Sequence, residues 1–100
     1  MSSYNIYMIK SFSDPETEKL FGGKQARRLP TDIQRVARRK LLQIDAADRL
    51  EIMRFPPGNH LEILKGSRLG QHSIRINNQW RICFRWNLED AYEVEIVDYH

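Results

Sequence analysis

The chain has 100 residues, 41% of them hydrophobic and 29% charged, with a net charge of +3 and a pI near 9.2. That length excludes two independent cores, so residues 1–100 are expected to form a single domain. No apolar run is long enough to span a bilayer, the start lacks a secretory pattern, and a lone cysteine, Cys83, excludes an internal disulfide, which together predict a soluble cytoplasmic protein.

Residues 4–12, YNIYMIKSF, alternate and are rich in Tyr and Ile, which predicts a first strand. Met8 offers an alternative start that leaves residues 1–7 as an N-terminal extension. In SDPETEKLF, Ser13 or Asp14 caps a helix, Pro15 opens its first turn, and Gly22-Gly23 ends it. LPTDIQRVARRKLLQIDAA predicts a second helix capped by Thr31 or Asp32. Its residues Ile33, Val36, Ala37, Ile44 and Ala47 share one arc, with Arg35, Arg38 and Arg39 outside it. Lys40 falls inside the arc, where a snorkelling side chain is the simpler reading than a functional one. Leu42 falls outside it and suits a contact with a partner protein.

RFPPGNH is a turn region, after which the period changes to two, with strands near residues 60–65, 71–77, 80–86 and 91–98. Helices followed by a meander predict an α+β fold, with an N-terminal strand and two helices packed on one face of a twisted antiparallel sheet.

Charge is unevenly spread. Residues 24–49 hold eight Lys/Arg against three Asp, residues 60–86 hold five against Glu62 alone, and residues 87–100 hold five acids and no Lys or Arg. Two basic blocks suggest a polyanion partner, and a solvated helix face with ordinary salt bridges would produce the same pattern.

Register turns the strands into chemistry, because a slip of one residue moves every side chain to the other face. With Asn77-Asn78-Gln79 as a three-residue loop, Ile76 faces Trp80, Ile74 faces Ile82, and His72 faces Phe84. An odd-numbered loop around residues 87–89 sets Phe84 opposite Tyr92, Ile82 opposite Val94, and Trp80 opposite Ile96. These apolar residues then share the core face. The opposite face carries Arg75 directly across from Arg81, Glu95 beside Arg81, Glu93 beside Cys83, and Tyr99 at its end. On this reading Arg81 stands on an open face, and Arg81→Ala would remove function with little loss of stability. Lys65 and Arg68 add positive charge, and Gly66 and Gly70 bracket a turn.

Cys83 lies buried or beside acids, a poor setting for a thiolate nucleophile. LKGSRLG lacks a Walker ending, and His60, His72 and His100 fit no metal-ligand motif, so neither a metal nor another cofactor is expected. Arginines, a lysine and a terminal Tyr-His pair are parts suited to cleaving RNA without a metal. The 2′-OH attacks the adjacent phosphorus, a base takes its proton, an acid protonates the leaving 5′ oxygen, and cations hold the pentacoordinate charge. A terminal histidine is more often an idle surface residue, and the parts alone do not prove the reaction.

PPGNHLEILKGSRLGQHSIRINNQWRICFRW followed by VEIVDYH, together with MIKSF and an Arg-rich helix, resembles the HigB-type toxins of the RelE superfamily from Met8 to His100. The resemblance implies a type II toxin that cleaves mRNA in the A site of the ribosomal 30S subunit and stops translation. It also implies a HigA-type helix-turn-helix antitoxin, and a 2:2 toxin–antitoxin hetero-oligomer with a monomeric free toxin is expected.

Asp98, Tyr99 and His100 match the family's C-terminal motif, Arg81 its phosphate-site arginine, and Lys65 its LKG lysine. Some members carry a histidine three residues before that lysine, where this chain has Glu62. Glu62, His72 and His100 therefore compete as the general base, although the register turns His72 toward the core. The candidate catalytic set is Arg81, His100, Tyr99, Asp98, Lys65 and Glu62; the candidate RNA-binding set is Arg75, Arg68 and His72. Strict alternation places Tyr99 on the arginine face and Asp98 and His100 on the other, so convergence needs the strand to end or bend near Asp98. A non-catalytic RNA- or DNA-binding module and an inactive antitoxin-binding protein of the same fold are the rival readings.

Overall fold

Asp14 starts the first helix: its carboxylate accepts from the backbone N–H groups of Glu16 (3.3 Å) and Thr17 (3.1 Å), satisfying two donors that a helix start leaves open. The computed structural model describes residues 8–99, and helix α1 runs Pro15–Phe21, with Gly22 closing it. The first half of the expected N-terminal strand, the extension 1–7, and His100 lie outside the described residues.

Helix α2 spans Thr31–Ala46. Pro30, rather than Thr31 or Asp32, occupies its cap position, and no side chain caps it. Gln34 instead ties the preceding loop down, its Nε2 donating to the carbonyls of Ala26 (2.9 Å) and Leu29 (3.0 Å). The buried side of α2 is Ile33, Ala37, Lys40, Leu41 and Ile44, so the expected arc holds and gains Leu41. Leu42 is 42% exposed.

Four strands follow among the described residues: β1 (Glu62–Ile63), β2 (His72–Arg75), β3 (Trp80–Asn87) and β4 (Asp90–Asp98), in sheet order β1-β2-β3-β4 and all antiparallel. Residues 8–13 run along the free edge of β4 in parallel, through bridges Ile9↔Ala91 and Phe12↔Val94. Asp45 of α2 holds this segment from the helix side by accepting from the N–H groups of Met8 (2.9 Å) and Ile9 (3.1 Å). The helices cover one sheet face, where Ile74, Ile82, Phe84, Val94 and Ile96 pack with Leu20 of α1 and Ile33, Ala37, Leu41 and Ile44 of α2.

The first hairpin has the expected register: His72↔Phe84, Ile74↔Ile82 and Arg75↔Arg81. Asn77 makes its turn, the side-chain oxygen accepting from the N–H groups of Gln79 and Trp80, both at 2.8 Å. The second hairpin differs. Asn87 pairs with Asp90, leaving a two-residue turn of Leu88 and Glu89, and Ile82 faces Ile96 rather than Val94. An extra residue at Glu93 (φ 53°) reconciles the two. Such a bulge opposes two residues to one and reverses the alternation, so Tyr92 pairs with Arg85 outside the core while Val94 and Ile96 return to it. Ser11 supports the bulge, its Oγ accepting from the N–H of Glu93 at 2.9 Å.

Where the N-terminal segment leaves β4, the buried Thr17 takes its place. Its Oγ1 accepts from the N–H of Ile96 (3.0 Å) and donates to Asp14 (2.7 Å), joining helix cap to sheet edge. Thr17→Val keeps the shape and orphans that N–H, so it is expected to cost about 1–3 kcal/mol in chemical denaturation. Faster hydrogen exchange at the Ile96 amide checks the cause.

Candidate functional site

Alternation places Ser73 and Arg75 of β2 and Arg81 and Cys83 of β3 on the sheet face away from the helices. Arg75 and Arg81 stand directly opposite each other, an arrangement that costs roughly 0.2–1 kcal/mol for like charges unless the heads diverge. They do diverge. Arg75 turns toward the hairpin loop, its Nε donating to the carbonyl of Asn77 at 3.0 Å. Arg81 crosses β2 toward β1: Nε donates to Ser73 Oγ (2.7 Å), and Nη2 donates to the carbonyl of His60 (2.6 Å) and meets Glu62 Oε1 at 3.1 Å.

Arg81 is only 7% exposed, which corrects the expected open position. The segment after β1 reaches across this face through Arg68 to Glu95 and through the Leu69 carbonyl to Arg85, and Leu64, Gln71, Ser73 and Cys83 are buried with Arg81. A guanidinium out of water needs acceptors around its fork, and Ser73, His60 and Glu62 supply them. The expected Arg81–Glu95 pair does not form, because the bulge carries Glu95 opposite Cys83. Glu95 accepts from Arg68 Nη1 at 3.0 Å, which also reaches Gln71 Oε1 at 3.0 Å. The bond to Glu95 is the main reason that the Arg68 pKa is raised. Burial, first among the causes, pushes the Cys83 thiol above its ordinary value, so the neutral form is favoured.

The carboxy end joins this face as alternation requires. Strand β4 ends at Asp98, and the N–H of Tyr99 donates to the carbonyl of Gln79 at 2.7 Å. The Tyr99 ring centroid lies 5.6 Å from Arg81 Cζ, a cation–π contact over the buried guanidinium. Asp98 accepts from Gln79 Nε2 at 3.0 Å, on the loop side rather than beside Arg81.

Of the candidate residues, Arg81, Glu62, Tyr99, Arg75 and Arg68 are gathered on one face. Lys65 is exposed, at the start of a short 3-10 turn over Gly66–Arg68, where Gly66 (φ 66°) and Gly70 (φ 91°) do bracket the turn. His72 lies on the opposite sheet face, stacked near Phe84 (6.0 Å between centroids), which separates it from the expected RNA-binding set. Desolvation lowers its pKa, and its Nδ1 is buried without a partner among the described residues.

Ser73, the His60 carbonyl and Gln79 were not singled out from sequence as site groups. Ser73 was available, since its position shares a face with Arg75; the other two depend on loop conformation.

Of two cavities of about 510 Å³ each, one lies away from Arg81 and the other is lined in part by Glu62, the ion-pair partner of Arg81. One, between α1 and α2, is lined by Lys24, Arg35, Arg38, Arg39 and Leu42 among others, and the other has His72 beside Leu50, Glu51 and Arg54. The two basic blocks of the sequence therefore end on opposite sides of the sheet. Among the described residues no group of three or more His, Cys, Asp or Glu side chains converges, and no helix is long and apolar enough to cross a membrane.

The sequence profile of the family described as "RelE-like toxin of type II toxin-antitoxin system HigB" matches residues 10–100. The chain belongs to this family. Toxin HigB-1 of Vibrio cholerae serotype O1 is 39% identical to it over 80 residues, covering 79% of this chain and 84% of the relative. Endoribonuclease HigB of Proteus vulgaris is 34% identical over 99 residues, covering 93% of this chain and all of the relative. An uncharacterised protein of Haemophilus influenzae is 36% identical over 59 residues, covering 59% and 58% of the two chains. As a HigB-type toxin of a type II system, the protein implies a cognate antitoxin partner.

In this HigB-family toxin Arg81 ties three strands to one loop. Arg81→Ala strands the Ser73 and His60 acceptors, so a loss of roughly 2–4 kcal/mol is expected in denaturant melts, contrary to an open-face residue. Arg81→Lys keeps one charge but not the fork and should recover only part of the loss.

Proposed function

We propose that this toxin is an endoribonuclease that cleaves mRNA by attack of the ribose 2′-OH on the adjacent phosphorus. The observation that carries the reading is the grouping of Arg75 and Arg81 on one face with Tyr99 seated on Arg81. The name of the Proteus vulgaris relative, Endoribonuclease HigB, supports the same reaction class.

The Glu62 carboxylate reaches Arg81 from a side chain that is 55% exposed, so it is open to replacement by another anion. A phosphate presents the same charge and acceptor geometry to the guanidinium, and Arg75 has no carboxylate partner among the described residues. With phosphate at the two arginines, a displaced Glu62 is free beside the ribose as a candidate base. The 2′ oxygen forms its bond to phosphorus as its proton passes to the base. The bond from phosphorus to the 5′ oxygen breaks, and an acid protonates that oxygen. The products are a 2′,3′-cyclic phosphate and a 5′-hydroxyl end. The arginines stabilise the pentacoordinate charge, the largest demand of such a step. Tyr99 belongs to the proposed active face, and Lys65, Asp98 and His100 are proposed as further catalytic residues.

The proposed setting is mRNA in the A site of the 30S subunit, in the cytoplasm, with a HigA-type helix-turn-helix antitoxin in a 2:2 complex as the neutralising partner. The closed Arg81–Glu62 pair favours one alternative, a protein of this fold that binds RNA or antitoxin without cutting.

Cleavage of mRNA on programmed ribosomes, with 5′ ends mapped, tests the reading. Arg75 makes only the bond to Asn77 among the described residues, so Arg75→Ala should fold normally while cleavage falls by about 10²-fold or more. Growth arrest by the unaltered protein without new 5′ ends would reject the nuclease and favour the non-cutting alternative.

A further inference from the structure

Lys40 sits inside the apolar arc of α2 at 8% exposure, with no carboxylate within ion-pair distance among the described residues. Desolvation, reinforced by the neighbouring charge of Arg39, lowers its pKa. A leucine or methionine would fill that place without the cost of burying an amine. The lysine does something an apolar side chain does not: Nζ donates to the Oδ1 of Asn59, which is fully buried.

A lysine has only donors, so this contact fixes which way the Asn59 amide points. Its Nδ2 is turned to the carbonyls of Met53 and Phe55, both at 3.1 Å, and to Gln43 Oε1 at 3.0 Å. Gln43 returns to the same loop, its Nε2 donating to the Phe55 carbonyl at 2.6 Å. Residues 53–59 are thus closed around one amide held by α2. The next residue, His60, adopts the left-handed region (φ 45°, ψ 58°), which costs a non-glycine residue energy and needs its surroundings to hold it. That residue's carbonyl accepts from Arg81 at 2.6 Å.

We infer that Lys40 and Asn59 are positioning residues for Arg81: helix α2, on one side of the sheet, sets the place of the His60 carbonyl that holds one arm of the guanidinium on the other. The chain of contacts runs Lys40, Asn59, His60, Arg81, without a gap. This inference rests on the reading of Arg81 as a phosphate-holding group. It assigns to Lys40 a purpose beyond packing, and to the Pro56-Pro57-Gly58-Asn59 turn the task of presenting a carbonyl rather than of merely reversing the chain.

The test compares Asn59→Ala, Lys40→Met and Arg81→Lys in single-turnover mRNA cleavage on programmed ribosomes, with Arg81 Nη2 hydrogen exchange read by low-temperature NMR where the arginine is present. Lys40→Met and Asn59→Ala should each slow the cleavage step by roughly tenfold or more at saturating protein, since a small misplacement of a catalytic group is that costly. The Arg81 Nη2 protons, which the His60 carbonyl holds, should exchange faster in both, while amides in the centre of β3 keep their protection. Should Asn59→Ala fail to fold, Lys40→Met decides, because it preserves volume and leaves Asn59 in place. Cleavage and Nη2 exchange within twofold of the unaltered protein in Lys40→Met, with Arg81→Lys impaired, would overturn the relay and leave the phosphate role of Arg81 standing. Undiminished cleavage in Arg81→Lys and Arg75→Ala alike would instead overturn the underlying reading.

Discussion

A guanidinium held out of water must find acceptors for its donors, and the architecture around Arg81 follows from that demand. The acceptors come from separated parts of the chain: Ser73 from the neighbouring strand, Glu62 from the strand beyond it, and the His60 carbonyl from a loop. Each is drawn to the same group, so β1, β2 and β3 and the segment over them are fixed relative to one another. Tyr99 closes the remaining side with its ring. The charge is thereby stored in an oriented form, with Glu62 as the one partner that is half in water. An oriented cation with an exchangeable anion on it is suited to receiving phosphate, because little of the protein must reorganise when the anion changes.

Two groups of cations lie on opposite sides of the sheet. Arg68, Arg75 and Arg81 lie beside the carboxy end on one side, while Lys24, Arg35, Arg38 and Arg39 line the groove of the helix pair on the other. The first surface is interleaved with Glu62 and Glu95, which hold individual arginines in place. The second has no acidic residue in its lining. A type II toxin implies an antitoxin, and this arrangement offers two chemically different cationic faces.

Strand β4 connects these parts. Its bulge at Glu93 lets a tight two-residue turn coexist with an unbroken core, and the resulting shift takes Glu95 away from Arg81 and gives it to Arg68. Its edge is completed first by residues 8–13 and then by Thr17, so the strand is held along its length before it delivers Tyr99 to the arginine.

Much of this was legible in the residues themselves. Period-two alternation and the Asn77 turn determine that Ile74 meets Ile82 and that Arg75 meets Arg81, because a hairpin with a three-residue loop allows one register. The Asp14 cap, Pro15 and Gly22 likewise bound α1 by local chemistry alone. The bulge had no such local mark: Glu93 is not a glycine, and its support, Ser11, is 82 residues away in the chain. The same holds for Arg81. Parity assigns its face, but whether that face meets water depends on the segment after β1 reaching across it, and Lys40 shows its purpose only when Asn59, 19 residues on, is brought beneath it. Pattern determines which way a side chain points; only the packing of distant segments decides what it touches, since burial and hydrogen-bond partners are properties of the whole fold.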